Sequence, residues 1–152
     1  MISLNELNEK RYNRKIITIE NVDKKRLPFY RALFTEEVLR SHMQKEQDNL
    51  ICSGAHIDGQ PVAIVTSSIH KKGNKAELHY IYVHKTFRRL GIGTLLLYHL
   101  EKKLYESSCA TVYISVVMGI SNLETLEKFF HKHHNELSSR KCNFLYVTKG
   151  IK

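Results

Sequence analysis

Signals that would send this chain of 152 residues out of the cytoplasm are scarce. No apolar run approaches the ~18 residues of a membrane span. The opening stretch MISLNELNEKRYNRK has no signal-peptide core, so a cytoplasmic protein with no membrane partner is expected. The three cysteines, Cys52, Cys109 and Cys142, are far apart, odd in number and without CxxC spacing. That argues for reduced thiols, against a disulfide framework or a zinc site. Proline occurs only twice, and neither a Gly/Ser-rich linker nor an internal repeat is present. Residues 1–152 therefore read as one domain, long enough for a sizeable core and short for two. Acidic residues are the minority, 15 Asp plus Glu against 24 Lys plus Arg, for a net charge of +9. Such a balance favours an acidic partner: nucleic acid, an anionic surface or a polyphosphorylated small molecule. The lysines are spread along the whole chain, however. The aromatic-basic interleaving of a single-strand platform and a helix-turn-helix pattern are both missing, which disfavours nucleic acid.

What is present is an alternating α/β pattern. Arg14 to Val22 alternates and is isoleucine-rich, predicting a first strand. A helical stretch follows, broken near Pro28 and restarting at Thr35, an N-cap ahead of the acidic pair Glu36 and Glu37. LICSGAHI and PVAIVTSSIH read as strands around a short Gly-containing hairpin loop, and AELHYIYV as the next strand. Leu97, Leu100 and Leu104 recur at helical spacing, with Glu101, Lys102 and Lys103 on the opposite, polar side. ATVYISVV is a strand of the kind buried on both faces. A last helix starts near Ser121 with a Leu123, Leu126 and Phe130 stripe, and NFLYVTKG closes as a strand. Antiparallel strands first and βαβ units afterwards predict a single mixed sheet flanked by helices.

Between AELHYIYV and the leucine helix stands FRRLGIG. Backbone N–H groups in the first turn of a helix lack intrahelical acceptors, and the helix dipole adds partial positive charge there. Gly91 and Gly93 lack Cβ atoms, so a phosphate can approach those amides closely. Arg88 and Arg89 add charge-assisted hydrogen bonds. The segment predicts a pyrophosphate binder. It is neither a Walker loop, which needs a Gly-Lys-Ser/Thr ending, nor a dinucleotide fingerprint, whose last glycine is replaced here by Leu96.

RRLGIG after LHYIYVHKTF resembles motif A of the GNAT superfamily of acyl-CoA-dependent N-acyltransferases, with Arg88, Gly91 and Gly93 at the signature positions. The predicted strand order is also that family's, and the resemblance is strongest from Ala76 to Phe130. It implies a GNAT fold and acetyl transfer from acetyl-CoA to the primary amine of a small molecule or peptide, with no metal. It further implies that the loop amides of Arg89, Leu90, Gly91, Ile92, Gly93 and Thr94 hold the pyrophosphate of coenzyme A. Backbone groups of Ile81, Tyr82 and Val83 would bond the pantetheine arm. SNLETLEKFF resembles the family's Asn-x-x-Ala-x-x-x-Tyr helix, which implies that Asn122 contacts the cofactor arm. Phe129 stands where the family's proton-donating tyrosine would be, and Thr125 at its alanine position. A homodimer is compatible with the family.

Acyl transfer to an amine needs the amine neutral, so a general base helps. Glu77 is the leading candidate, at a register where several family members carry a catalytic glutamate. By strict alternation His79 shares its face and is a second candidate, while Tyr80 and Tyr82 fall on the opposite face. The thioester is already activated, so no cysteine nucleophile is required. His131 and His134, in HKHH, stand at i, i+3 spacing and read as a solvated histidine face, not a metal set. The alternative is a coenzyme-A-binding regulatory or interaction domain without turnover, for which the missing tyrosine and the charge argue. Glu36, Glu37 and Asp48 are candidates to attract a cationic acceptor.

Overall fold

The computed structural model describes residues 9–12, 15–44, 49–70, 75–109, 111–118 and 145–148. The sequence expectations for Asp48, Asn122, Phe129, His131, His134, Cys142 and the helix starting near Ser121 concern positions outside the described residues.

Among the described residues seven strands form one sheet in sequence order. They are β1 (Glu9–Tyr12), β2 (Lys15–Val22), β3 (Leu50–Ile57), β4 (Gln60–His70), β5 (Lys75–Val83), β6 (Thr111–Met118) and β7 (Leu145–Thr148). Neighbours from β1 to β5 are antiparallel, whereas β5–β6 and β6–β7 are parallel. The predicted mixed sheet is thus observed. β1, which the sequence pattern did not show, is a short, charged edge strand; such edges resist pairing with further chains. Between β3 and β4 the turn is Asp58-Gly59, both at positive φ (50° and 77°), as a two-residue hairpin matched to strand twist requires.

Helix α1 (Glu36–Gln44) begins where Thr35 predicted it. The Val38 N–H donates to Thr35 Oγ1 at 3.2 Å, and Glu36 and Glu37 complement the helix dipole. A 3-10 helix, Leu27–Leu33, precedes it with Pro28 in its first turn, where a missing N–H is harmless. Both lie on one sheet face, where Leu27, Tyr30, Leu33 and Leu39 pack on Val22, Cys52, Ile64 and Tyr80. Helix α2 (Ile92–Glu106) covers the other face, burying Leu96, Leu97, Leu100 and Leu104 against Ile17, Ala55, Val65 and Leu78. β4 lies between both layers, and Val62 through Ser67 are all buried. One expectation fails on α2: Glu101, assigned to the polar side, is only 3% exposed. The apolar arc of the helix is wider than its leucine spacing indicates.

The 3-10 helix is pinned by Glu20 of β2. Its carboxylate accepts from Arg26 Nε and Nη2, each at 3.1 Å, and from the Tyr30 hydroxyl at 2.7 Å, with His56 Nε2 at 3.4 Å. Burial alone would raise the Glu20 pKa, but Arg26, Tyr30 and His56 together outweigh it and hold the carboxyl below its usual value. The Tyr30 ring reaches Glu20 by crossing Gly54 of β3, where a Cβ would clash with Cζ, Cε1 and the hydroxyl of Tyr30. Gly54→Ala must displace Tyr30 and loosen its hydrogen bond, so we expect a loss of roughly 2–4 kcal/mol in urea unfolding. Wild-type stability would show that the ring relocates without cost.

Candidate active site

The site begins at an irregularity in β5. Across to β4, Thr66 pairs with Tyr80 and Ser67 with Leu78, so His79 is an extra residue in β5, a β-bulge. Across to β6, Leu78 pairs with Ile114 but Tyr80 with Met118, so the two strands lose step at the same point. Beyond it Ile81, Tyr82 and Val83 pair with Val65, Ile64 and Ala63 of β4, and with no β6 residue among the described residues. There β5 has left β6, and the Val83 carbonyl is held by Arg88 Nε at 2.8 Å.

The bulge corrects the assignment of faces. One inserted residue reverses the alternation after it. Tyr80 and Tyr82 therefore pack in the cluster on the α1 side, and Ile81 in the α2-side core. His79 also faces α1, its ring perpendicular to that of His42 with centroids 6.0 Å apart. Glu77, opposite Ser68, lies on that face too. All four side chains therefore share one face, not two. Phe34, Tyr80 and Tyr82 stack in a ladder, with centroids 5.0 and 6.4 Å apart. The Tyr80 hydroxyl donates to the Leu33 carbonyl, and burial, then its neighbour Tyr82, pushes its pKa up to about 12. Tyr80 is a fixed wall.

After β5 the chain makes a single 3-10 turn, Lys85–Phe87, and enters the glycine segment. Arg89 has φ 64° and Gly91, the N-cap of α2, φ 82° and ψ 7°. Gly91 thus sits in the left-handed region that glycine enters at no steric cost. The ladder of α2 opens with Leu95 N–H donating to Gly91 O at 3.1 Å, so the amides of Ile92, Gly93 and Thr94 precede it and project from the helix start. Arg88, Arg89 and Gly91 are exposed, Leu90, Gly93 and Thr94 half-buried, and Ile92 is buried. Arg88 does more than supply charge. Its Nε donates to Val83 O at 2.8 Å and its guanidinium lies 5.4 Å from the Tyr82 ring centroid, tying loop to strand.

Around the bulge stands a group of polar side chains. Glu77 Oε2 is 3.6 Å from His70 Nε2, and its side chain is 18% exposed. Ser68 Oγ and His79 Nε2 share a 2.6 Å hydrogen bond. His42, buried on α1, bonds Val38 O through Nδ1 at 2.7 Å and Thr66 Oγ1 through Nε2 at 2.6 Å. The structure thus brings the two sequence candidates, Glu77 and His79, onto one face near Ile81 to Val83. It adds His42, Thr66 and Ser68, which sequence reasoning missed. Only a polar residue interrupting the apolar spacing of α1, at His42, could have hinted at them. The thiols stand apart: burial pushes Cys52 up to about 12 and raises Cys109, neither a nucleophile's environment.

A sequence profile of the Acetyltransferase (GNAT) family matches residues 14–132. No curated protein sequence matches the chain. Among solved structures it resembles the ribosomal-protein-S18-alanine N-acetyltransferase from Escherichia coli, with TM-score 0.60 and 21% identity over 76% of either chain. It also resembles the aminoglycoside N-acetyltransferase AAC(6')-Iy in complex with CoA, with TM-score 0.58 and 19% identity over 76% of this chain and 88% of that one. A third is the PaiA N-acetyltransferase from Thermoplasma acidophilum with coenzyme A, with TM-score 0.53 and 17% identity over 76% and 87%. At such identities the likeness is one of fold.

Proposed function

The chain belongs to the acetyltransferase (GNAT) family, and from that membership we propose that it transfers an acetyl group from acetyl-CoA to a primary amine on a small molecule or peptide. The observation that carries this reading is the succession of the bulge at His79, the residues Ile81 to Val83 beyond it, the Arg88 to Val83 hydrogen bond that ties loop to strand, and the first-turn amides of α2 after Gly91. These groups fit coenzyme A: helix-start amides without intrahelical acceptors and the exposed Arg89 for a pyrophosphate, and strand backbone for an amide-bearing arm.

Acetyl-CoA supplies an activated thioester, so the protein's part is positioning and proton handling. The amides at the start of α2 bind the anionic end. Main-chain groups beyond the bulge orient the arm so that the acetyl end meets the face carrying His79, Glu77 and Ser68. His79, set at the bulge itself, receives the proton of the acceptor ammonium; the freed amine then bonds the acetyl carbon as the C–S bond breaks, and the departing coenzyme A thiolate takes its proton from water. Glu77, beside His70 and two residues earlier, adds negative charge that favours a cationic acceptor.

The test is release of free coenzyme A thiol on incubation with acetyl-CoA and a panel of polyamines, amino acids and N-terminal peptides. We expect at least one acceptor to be turned over. Tight binding of acetyl-CoA with no acceptor used would favour a regulatory module.

A further inference from the structure

The buried imidazole of His42 is a polar group at the bulge that the acetyl-transfer reading leaves without a role. Leu39 and His42 are the buried residues of α1, with Val38 half-buried beside them, so the helix is held over the sheet by two apolar side chains and one polar one. A carbonyl can only accept, so Nδ1 carries the proton in its 2.7 Å contact with Val38 O. In the neutral ring Nε2 then accepts from the Thr66 hydroxyl, 2.6 Å away on β4. Both nitrogens have directional partners, and Thr66 itself is fully buried. The ring plane is therefore fixed, with Phe34 on another side at 5.6 Å between centroids. What this frame touches is His79: the two rings stand 86° apart in plane with centroids 6.0 Å apart, while Ser68 holds His79 Nε2.

We propose that His42 is a positioning residue for acetyl transfer, a fixed imidazole that sets the plane of the His79 ring at the bulge. This inference rests on the acetyl-transfer reading above. At a bulge the side chain leaves the regular alternation of the strand, and here the His79 ring is oriented by the Ser68 hydrogen bond at Nε2 and by the His42 ring packed perpendicular to it. Proton transfer is sensitive to that orientation. An apolar residue at 42 would fill space but would leave the Thr66 hydroxyl without its acceptor, which explains a histidine at a buried helical position.

His42→Phe alone strands Thr66 and risks the fold, so the informative variant is His42→Phe/Thr66→Val, which removes both polar partners together. Steady-state kinetics with the best acceptor should show kcat lowered about 10–100-fold, with KM for acetyl-CoA within about twofold of wild type. His42→Gln, which can still accept from Thr66, should recover part of the loss. Imidazole 15N spectra supply a readout independent of turnover. They should show the Nδ1–H tautomer for His42 and a changed His79 signal in the double variant. Wild-type kcat in the double variant, or an unchanged His79 signal, would overturn the inference while acetyl transfer stands. Equal losses in kcat and acetyl-CoA affinity would overturn it too, by making His42 a general prop. A wild-type protein that turns over no amine would sink the acetyl-transfer reading, and the spectra would then decide whether His42 holds His79.

Discussion

Gly91→Val is expected to weaken acetyl-CoA binding by at least about 100-fold while the sheet stays folded. Gly91 sits at φ 82°, a region that a β-branched residue enters only with strain. Valine would therefore either drag the N-cap of α2 out of position or hold it at a cost of order 1–3 kcal/mol. Its methyl groups would also occupy the space through which an anion reaches the amides of Ile92, Gly93 and Thr94. Gly93→Ala separates the two effects, because Gly93 lies inside α2 and alanine favours a helix. We expect it to keep or raise the melting temperature and to weaken binding about tenfold, through bulk alone. Arg88→Ala should cost less than Gly91→Val, since the amides remain. Isothermal titration of the three variants with acetyl-CoA reads all of this directly. Undiminished affinity in Gly91→Val would move the anion site away from the start of α2.

The glycine segment was legible because its signal is local: backbone without Cβ atoms, at a fixed distance after a strand and before a leucine stripe. Thr35 and the Asp58-Gly59 hairpin were legible for the same reason, each being a short-range hydrogen-bonding or φ requirement written in a few neighbouring residues. The bulge was not. AELHYIYV alternates as well as any flat strand, and only the pairing of Thr66 with Tyr80 and Ser67 with Leu78 reveals that His79 is in excess. Strict alternation therefore placed Tyr80 and Tyr82 on the wrong face. The same limit hid His42, whose partner Thr66 is 24 residues away on another element. It hid the depth of Glu101 as well, since the burial of a helix flank depends on what packs there. Periodicity describes regular elements, and the candidate site lies where the sheet departs from regularity.

That departure is what singles out His79 over Glu77 as the proposed base. His79→Gln is expected to lower kcat about 100-fold at neutral pH, whereas Glu77→Gln should stay within about tenfold of wild type. Glutamine at 79 can keep a hydrogen bond to Ser68 Oγ but cannot take up a proton, so the variant removes basicity with little change in shape. Glu77 already faces His70 at 3.6 Å, and its neutralisation removes negative charge from the acceptor's approach. That loss should appear in the acceptor KM before it appears in kcat. The sign with pH follows from the acceptor. At neutral pH an alkyl amine is almost wholly protonated, so removing the base exposes the full cost of deprotonation. As pH rises toward the amine's own pKa, about 10 for a lysine-like amine, more acceptor arrives neutral. The His79→Gln deficit should then shrink toward unity. A Glu77→Gln deficit arising from lost attraction should shrink as well, because a neutral amine gains nothing from the charge, but from a smaller starting value. Rate profiles from pH 6.5 to 9.5 for both variants with one acceptor separate the assignments. A 100-fold loss in Glu77→Gln beside an active His79→Gln would make the carboxylate the base and His79 part of the wall. A deficit in His79→Gln that persists unchanged at high pH would mean that the ring orients the acceptor and that bulk water takes the proton.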